Sequence, residues 1–142
     1  MSTVLPKILI ACNENVRNNY LAPNQIERLE QIAEWEWFPC EGGGIYDTNT
    51  DITVAEQLQQ RLGAVDGLIV CHGAPTITAA MIASAPKLRI IGELEGDRFA
   101  SRIDLDAAWS RNIRTIDVTN GSSYPVSEWA LALMLVAMRN GG

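Results

Sequence analysis

Apolar residues fall along this chain in two patterns, short unbroken runs and helical spacings, and the two alternate. Residues 7–11 (KILIA), 68–71 (LIVC) and 88–92 (LRIIG) are runs rich in branched side chains. Runs without alternation are how strands buried on both faces read. Residues 113–118 (IRTIDV) give a further strand, and 36–39 (EWFP) a short one near a sheet edge, because Pro39 cannot donate to a ladder. Between them lie helical spacings. Pro23 opens a helix through about Glu34, with Ile26, Leu29 and Ile32 on one face. A second runs from about 52 to 62 with Val54, Ala55, Leu58 and Leu62 inward, capped by Thr50 or Asp51 and stopped by Gly63. Pro75 suits the first turn of a third helix over 76–85, ended by Pro86. Asp104 caps a short helix through Arg111, and Pro125 starts a last one to about Arg139. Five strands alternating with helices predict an α/β protein whose parallel sheet is covered on both faces.

The stretch 66–92 is the centre of this plan: a strand, the loop Cys71-His72-Gly73-Ala74, a helix and the next strand. In such units ligands collect at the carboxyl end of the strand, here at 71–74. The last helix stands apart. Its segment WALALMLVAM (129–138) is apolar on every side, so it should be buried all round. Either a partner subunit covers it, or it belongs to a second domain that follows; burial logic favours the second.

Composition narrows the function classes. A chain of 142 residues with 47% hydrophobic and 20% charged residues is an ordinary globular domain. Its net charge of −6 and lack of a basic run make nucleic acid and anionic membranes poor partners. Cys12, Cys40 and Cys71 are odd in number and widely spaced. They form no disulfide framework and no metal-type pair, which points to a reducing cytoplasm and to no metal. The first eleven residues are too short in apolar length for a signal peptide, and 129–138 is too short to span a bilayer.

Four pieces in order carry a resemblance: Thr76-Ile77-Thr78 with 82–91 (IASAPKLRII), 103–108 (IDLDAA), Asn112-Ile113, and 126–131 (VSEWAL). Together they resemble the N-terminal part of the D-isomer-specific 2-hydroxyacid dehydrogenases. The resemblance implies a flavodoxin-like three-layer substrate domain over 1–119, and over 120–142 a linker with the first helix of a Rossmann cofactor domain. It implies a dimeric oxidoreductase moving a hydride between NAD or NADP and a 2-hydroxy or 2-oxo acid. The family's loop after the third strand holds the substrate carboxylate with backbone N–H groups, which maps onto His72, Gly73 and Ala74. Asn120, Ser122 and Ser123 would lie near the cofactor. The helix 124–139 would lie near a homodimer interface.

The departures matter as much. The Gly-x-Gly-x-x-Gly loop is absent, and the family's catalytic Arg, Glu and His all lie downstream. The chain is therefore expected to hold no catalytic residue, to bind no cofactor by itself and to be inactive alone. Glu93 stands where the family usually has Arg, and the segment 95–102 is longer and more charged. The family's Asn six residues before the helix Glu is here Ser122, with Asn120 two residues earlier.

Each candidate has a blander reading. His72 is the only histidine and can be a plain loop residue. Cys71 before His72-Gly73 matches the nucleophile elbow of PfpI-like proteins, where a helix N-terminus activates the thiol; it can equally be a small hydrophobe ending a strand. Residues 120–123 can be an ordinary turn with a Ser cap. Glu93, Glu95, Asp97 and Arg98 read most simply as a solvated loop. Trp35, Trp37, Trp109 and Trp129 read as packing residues. A stand-alone carboxylate-binding or dimerisation module of the same fold is the alternative function.

Overall fold

A computed structural model describes residues 4–96, 99–121 and 123–140. In chain order the elements are β1 (Lys7–Cys12), α1 (Glu14–Tyr20), α2 (Pro23–Glu30), β2 (Glu34–Pro39), α3 (Ile52–Leu62), β3 (Gly67–Val70), α4 (Ala79–Ala83), β4 (Ile90–Glu93), α5 (Phe99–Arg102), α6 (Leu105–Ser110), β5 (Arg114–Ile116), a 3-10 turn (Thr119–Gly121) and α7 (Ser123–Asn140). The five strands form one parallel sheet in the order β2-β1-β3-β4-β5. This is the flavodoxin-like doubly wound order, with its switch point between β1 and β3. β2 lies at an edge, where Pro39 is tolerated.

Period-two geometry sends alternate strand residues to opposite faces. Leu9, Ala11, Leu68, Val70 and Ile91 pack on one face under Leu58, Leu62, Met81, Ile82 and Ala108 from α3, α4 and α6. Ile10, Cys12 and Cys71 pack on the other under Val16, Leu21 and Leu29 from the α1–α2 side. Caps follow their sequence signals: Asn13, Asp51, Thr78 and Asp104 each accept a backbone N–H from the first turn of a helix.

Three expectations change. The second face is not wholly covered: over β4 and β5 it leaves an apolar groove of about 250 Å³ lined by Ile8, Ile69, Ile90, Gly92 and Ile116 among others. The helix expected over 76–85 shortens to Ala79–Ala83. The backbone of Ile77 is taken up as a strand-like bridge, donating to Arg102 O at 2.7 Å and accepting from Asp104 N at 2.9 Å. Pro75 likewise lies in an extended bridge with Asn49 rather than in a helix. Glu93 falls in β4, not in a charged loop.

α7 is a single helix exposed along its length, including Trp129, Leu131, Leu133 and Leu135. No helix among the described residues is long and apolar enough to cross a membrane. Of the tryptophans, Trp35 and Trp37 pack beside the second cluster. Trp109 and Trp129 are mostly exposed, contrary to a packing role, because α6 turns the Trp109 indole out to Thr115 Oγ1 and α7 lies alone.

Candidate functional site

The loops leaving β1 and β3 meet at the switch point. Asn13 N donates to His72 O at 2.8 Å, joining them. Between them Gly73 has φ +91°, and a Cβ there would sit 1.9 Å from Cys40 O and 3.0 Å from Asn13 Cβ. Only glycine lets the loop run through this gap.

Every carbonyl of the 71–74 loop is tied inward. Cys71 O accepts from Arg102 Nη1 at 3.2 Å and from Ala74 N at 3.0 Å. His72 O accepts from Asn13 N. Gly73 O accepts from Asn49 Nδ2 at 2.9 Å. Ala74 O accepts from Arg102 Nη1 and Asn49 N, each at 3.2 Å. The expected nest of three N–H groups is narrower than the sequence suggested. Ala74 N–H is spent on Cys71 O. Gly73 N–H donates to no acceptor among the described residues.

Beside the loop a polar corner forms. His72 Nε2 lies 2.7 Å from Glu95 Oε1, a close contact outside hydrogen-bond alignment. Tyr20 OH donates to the same oxygen at 3.0 Å, and its ring meets the imidazole edge-on at 5.8 Å. Beneath lies a buried pair, Arg102 Nε and Glu93 Oε2 at 2.8 Å. Burial pushes the Glu93 carboxyl up to about 7, against the opposing pull of Arg102. Glu93 is thus not a solvated loop residue: β4 carries it into the core, where Arg102 meets it. Of the expected charged loop, Asp97 and Arg98 lie outside the described residues.

Burial likewise pushes the Cys71 thiol up to about 12 and shields it fully, the opposite of what an activated nucleophile needs. Cys71, His72 and Glu95 bring ligand-type atoms within 4.8 Å of one another. Ligand atoms around one tetrahedral zinc stand roughly 3.3 Å apart, given bonds of about 2.0 Å. His72 and Glu95 are closer than that, at 2.7 Å, and stand beside a protonated thiol.

Ser122 lies outside the described residues. Asn120 sits exposed in the 3-10 turn, and Ser123 Oγ is spent on Thr119 O at 3.1 Å. Gly96 packs tightly on Thr119, where a Cβ would stand 2.9 Å from Thr119 Cα. This contact joins the turn to the Glu95 corner. Among the described residues, neither Asn120 nor Ser123 makes a hydrogen bond to the 71–74 loop.

Sequence reasoning missed Asn49, Arg102 and Tyr20. Asn49 and Arg102 act across 24 and 31 residues of chain, and only a buried polar side chain in the fold shows their role. Tyr20 ends α1, a helix whose polar composition hides it; the one local signal is Asn13 as its cap.

No protein-family model matches the chain. It is 28% identical over 135 residues to D-3-phosphoglycerate dehydrogenase of Mycobacterium tuberculosis, across 95% of this chain and 21% of the relative. It is 33% identical over 120 residues to D-3-phosphoglycerate dehydrogenase of Methanocaldococcus jannaschii, across 84% of this chain and 20% of the relative. Among solved structures it resembles a phosphoglycerate oxidoreductase from Rhizobium etli (TM-score 0.67, 20% identity, 95% of this chain and 37% of that one). It also resembles a 2-hydroxyacid dehydrogenase from Ketogulonicigenium vulgare (TM-score 0.59, 18% identity, 98% and 37%). The chain spans about a fifth of the length of the curated relatives it matches. Over that span it belongs, by sequence and by fold, to the D-isomer-specific 2-hydroxyacid dehydrogenases.

Proposed function

We propose that this chain is the substrate-binding portion of an NAD(P)-dependent D-2-hydroxyacid dehydrogenase, and that the 71–74 loop receives the substrate carboxylate. The observation that carries the reading is the loop's polarity. Its four carbonyls are all held inward, so no carbonyl lone pair opposes an anion and Gly73 N–H is left to meet one. Backbone N–H groups arranged this way attract carboxylates. His72, beside Glu95, would line the mouth. The place also fits, since ligands of open α/β sheets bind at the switch point beyond the strand ends.

Hydride transfer would need groups this chain does not carry. Without a glycine fingerprint, residues 120–123 do not form a dinucleotide cradle, so cofactor and catalytic groups would come from a further domain that α7 begins. Alone, the chain would bind a 2-oxo acid without reducing it. The test is titration of the 15N-labelled chain with pyruvate and hydroxypyruvate. A saturable shift of the Gly73 amide is expected; an amide unmoved at tens of millimolar would overturn the reading.

A second reading is favoured by α7, whose apolar residues are exposed all along it. Self-association through residues 124–139, forming a homodimer, would cover them.

A further inference from the structure

Arg102 is almost fully buried, and its guanidinium reaches three backbone carbonyls on two separate loops. Nη1 donates to Cys71 O and Ala74 O, and Nη2 to Gly44 O at 3.3 Å. Glu93, equally buried, lies against Nε at 2.8 Å. The main chain of Arg102 is fixed too, its carbonyl accepting from Ile77 N. A buried guanidinium is a costly choice unless its donors are used. Here the planar fork serves acceptors in several directions, which the single ammonium of a lysine cannot do.

We propose that Arg102 is the positioning residue of the site: it locks the 71–74 loop with its carbonyls inward and joins it to the 42–44 loop, so that Gly73 N–H faces an arriving carboxylate. The proposal rests on the carboxylate-binding reading above. Arg102 itself never meets the ligand. Two of the four loop carbonyls accept from Arg102, each alongside one backbone N–H, while Asn13 and Asn49 hold the other two. Without the fork, Cys71 O and Ala74 O each keep a single backbone donor, from Ala74 N and Asn49 N, and are held less firmly away from the ligand.

The experiment compares the chain with Arg102→Lys and Arg102→Met. Each is measured for thermal stability, for pyruvate affinity from amide shifts, and for hydrogen exchange at the amides of Ala74 and Asn49, both bonded to loop carbonyls. Arg102→Lys keeps a charge for Glu93 but cannot span the carbonyls. It is expected to stay folded, to weaken pyruvate binding tenfold or more and to speed exchange at both amides tenfold or more. A folded variant with unchanged affinity and exchange overturns the proposal. Two variants that both fail to fold overturn it as well, making Arg102 a stability residue only. If the unaltered chain does not bind pyruvate, the carboxylate reading falls by itself, and the exchange rates in the variants still decide whether Arg102 locks the loop.

Discussion

Glu93 and Arg102 meet at 2.8 Å in the core, nine residues apart in sequence, both almost wholly shielded from water. Desolvation outweighs the attraction, so the Glu93 carboxyl rises from an ordinary 4.5 to about 7. The sign follows. Between those values the folded chain holds a proton that the unfolded chain has released. Stability from this group is therefore full below about pH 4.5 and falls as pH rises toward 7, by about 3 kcal/mol at most. Glu93→Gln, fixed in the neutral form, should flatten that slope. Urea unfolding at pH 5, 6, 7 and 8 checks it; an equal slope in both proteins would refute the assignment.

Gly73→Ala should be the most damaging small change at the site. The residue stands at φ +91°, and a Cβ would overlap Cys40 O at 1.9 Å. Left-handed strain alone costs about 1–2 kcal/mol, and the backbone must also move. A loss of about 3 kcal/mol or more is expected in denaturant unfolding. By contrast Gly44→Ala meets nothing within 4 Å and should be close to neutral.

The sheet was legible because its three inner strands are largely apolar runs, and all five strands appeared within a few residues of their expected places. So did the caps at Asp51 and Asp104. The site was legible only as a place. Gly73 could be read as a close-approach glycine, but what orients its loop lies far away in sequence, on Asn49 and Arg102. Ile77 shows the same limit in the fold: its helical spacing was overridden by backbone bonds to Arg102 and Asp104. Glu93 looked like the start of a polar loop because three charged residues follow within five positions. Its burial depends on a cation that arrives with the next helix.

Asn49→Ala should act on the loop without touching the buried charges. It removes the donor to Gly73 O and Glu41 O and the acceptor for Asp51 N. Each lost bond leaves a backbone group to find water, at about 1 kcal/mol net. A loss of about 2–3 kcal/mol is expected in urea unfolding, with the Gly73 amide signal shifted. An unshifted Gly73 amide would show that Asn49 does not hold the loop.

The thiols should be inert in the folded chain. Burial raises Cys12, and pushes Cys40 and Cys71 to about 12. Iodoacetamide at pH 8 should label them only as fast as the chain opens, and all three together once it is unfolded in urea. Rapid labelling at Cys71 alone, read by peptide mass, would revive a thiol-dependent activity.

Leu133 tests what covers α7. It sits mid-helix with 55% of its surface exposed, among Leu131, Met134, Leu135 and Val136, which are no better covered. So large an apolar surface drives association in water, and a two-fold pairing would place the same residues of two copies together. Sedimentation of the chain should then give a dimer, and Leu133→Asp should shift it toward monomer while leaving the sheet domain's unfolding midpoint unchanged, since α7 packs on little beyond the 3-10 turn. A monomer at all concentrations, indifferent to Leu133→Asp, would instead leave α7 to be covered by a different domain or protein and would remove self-association from the chain's properties.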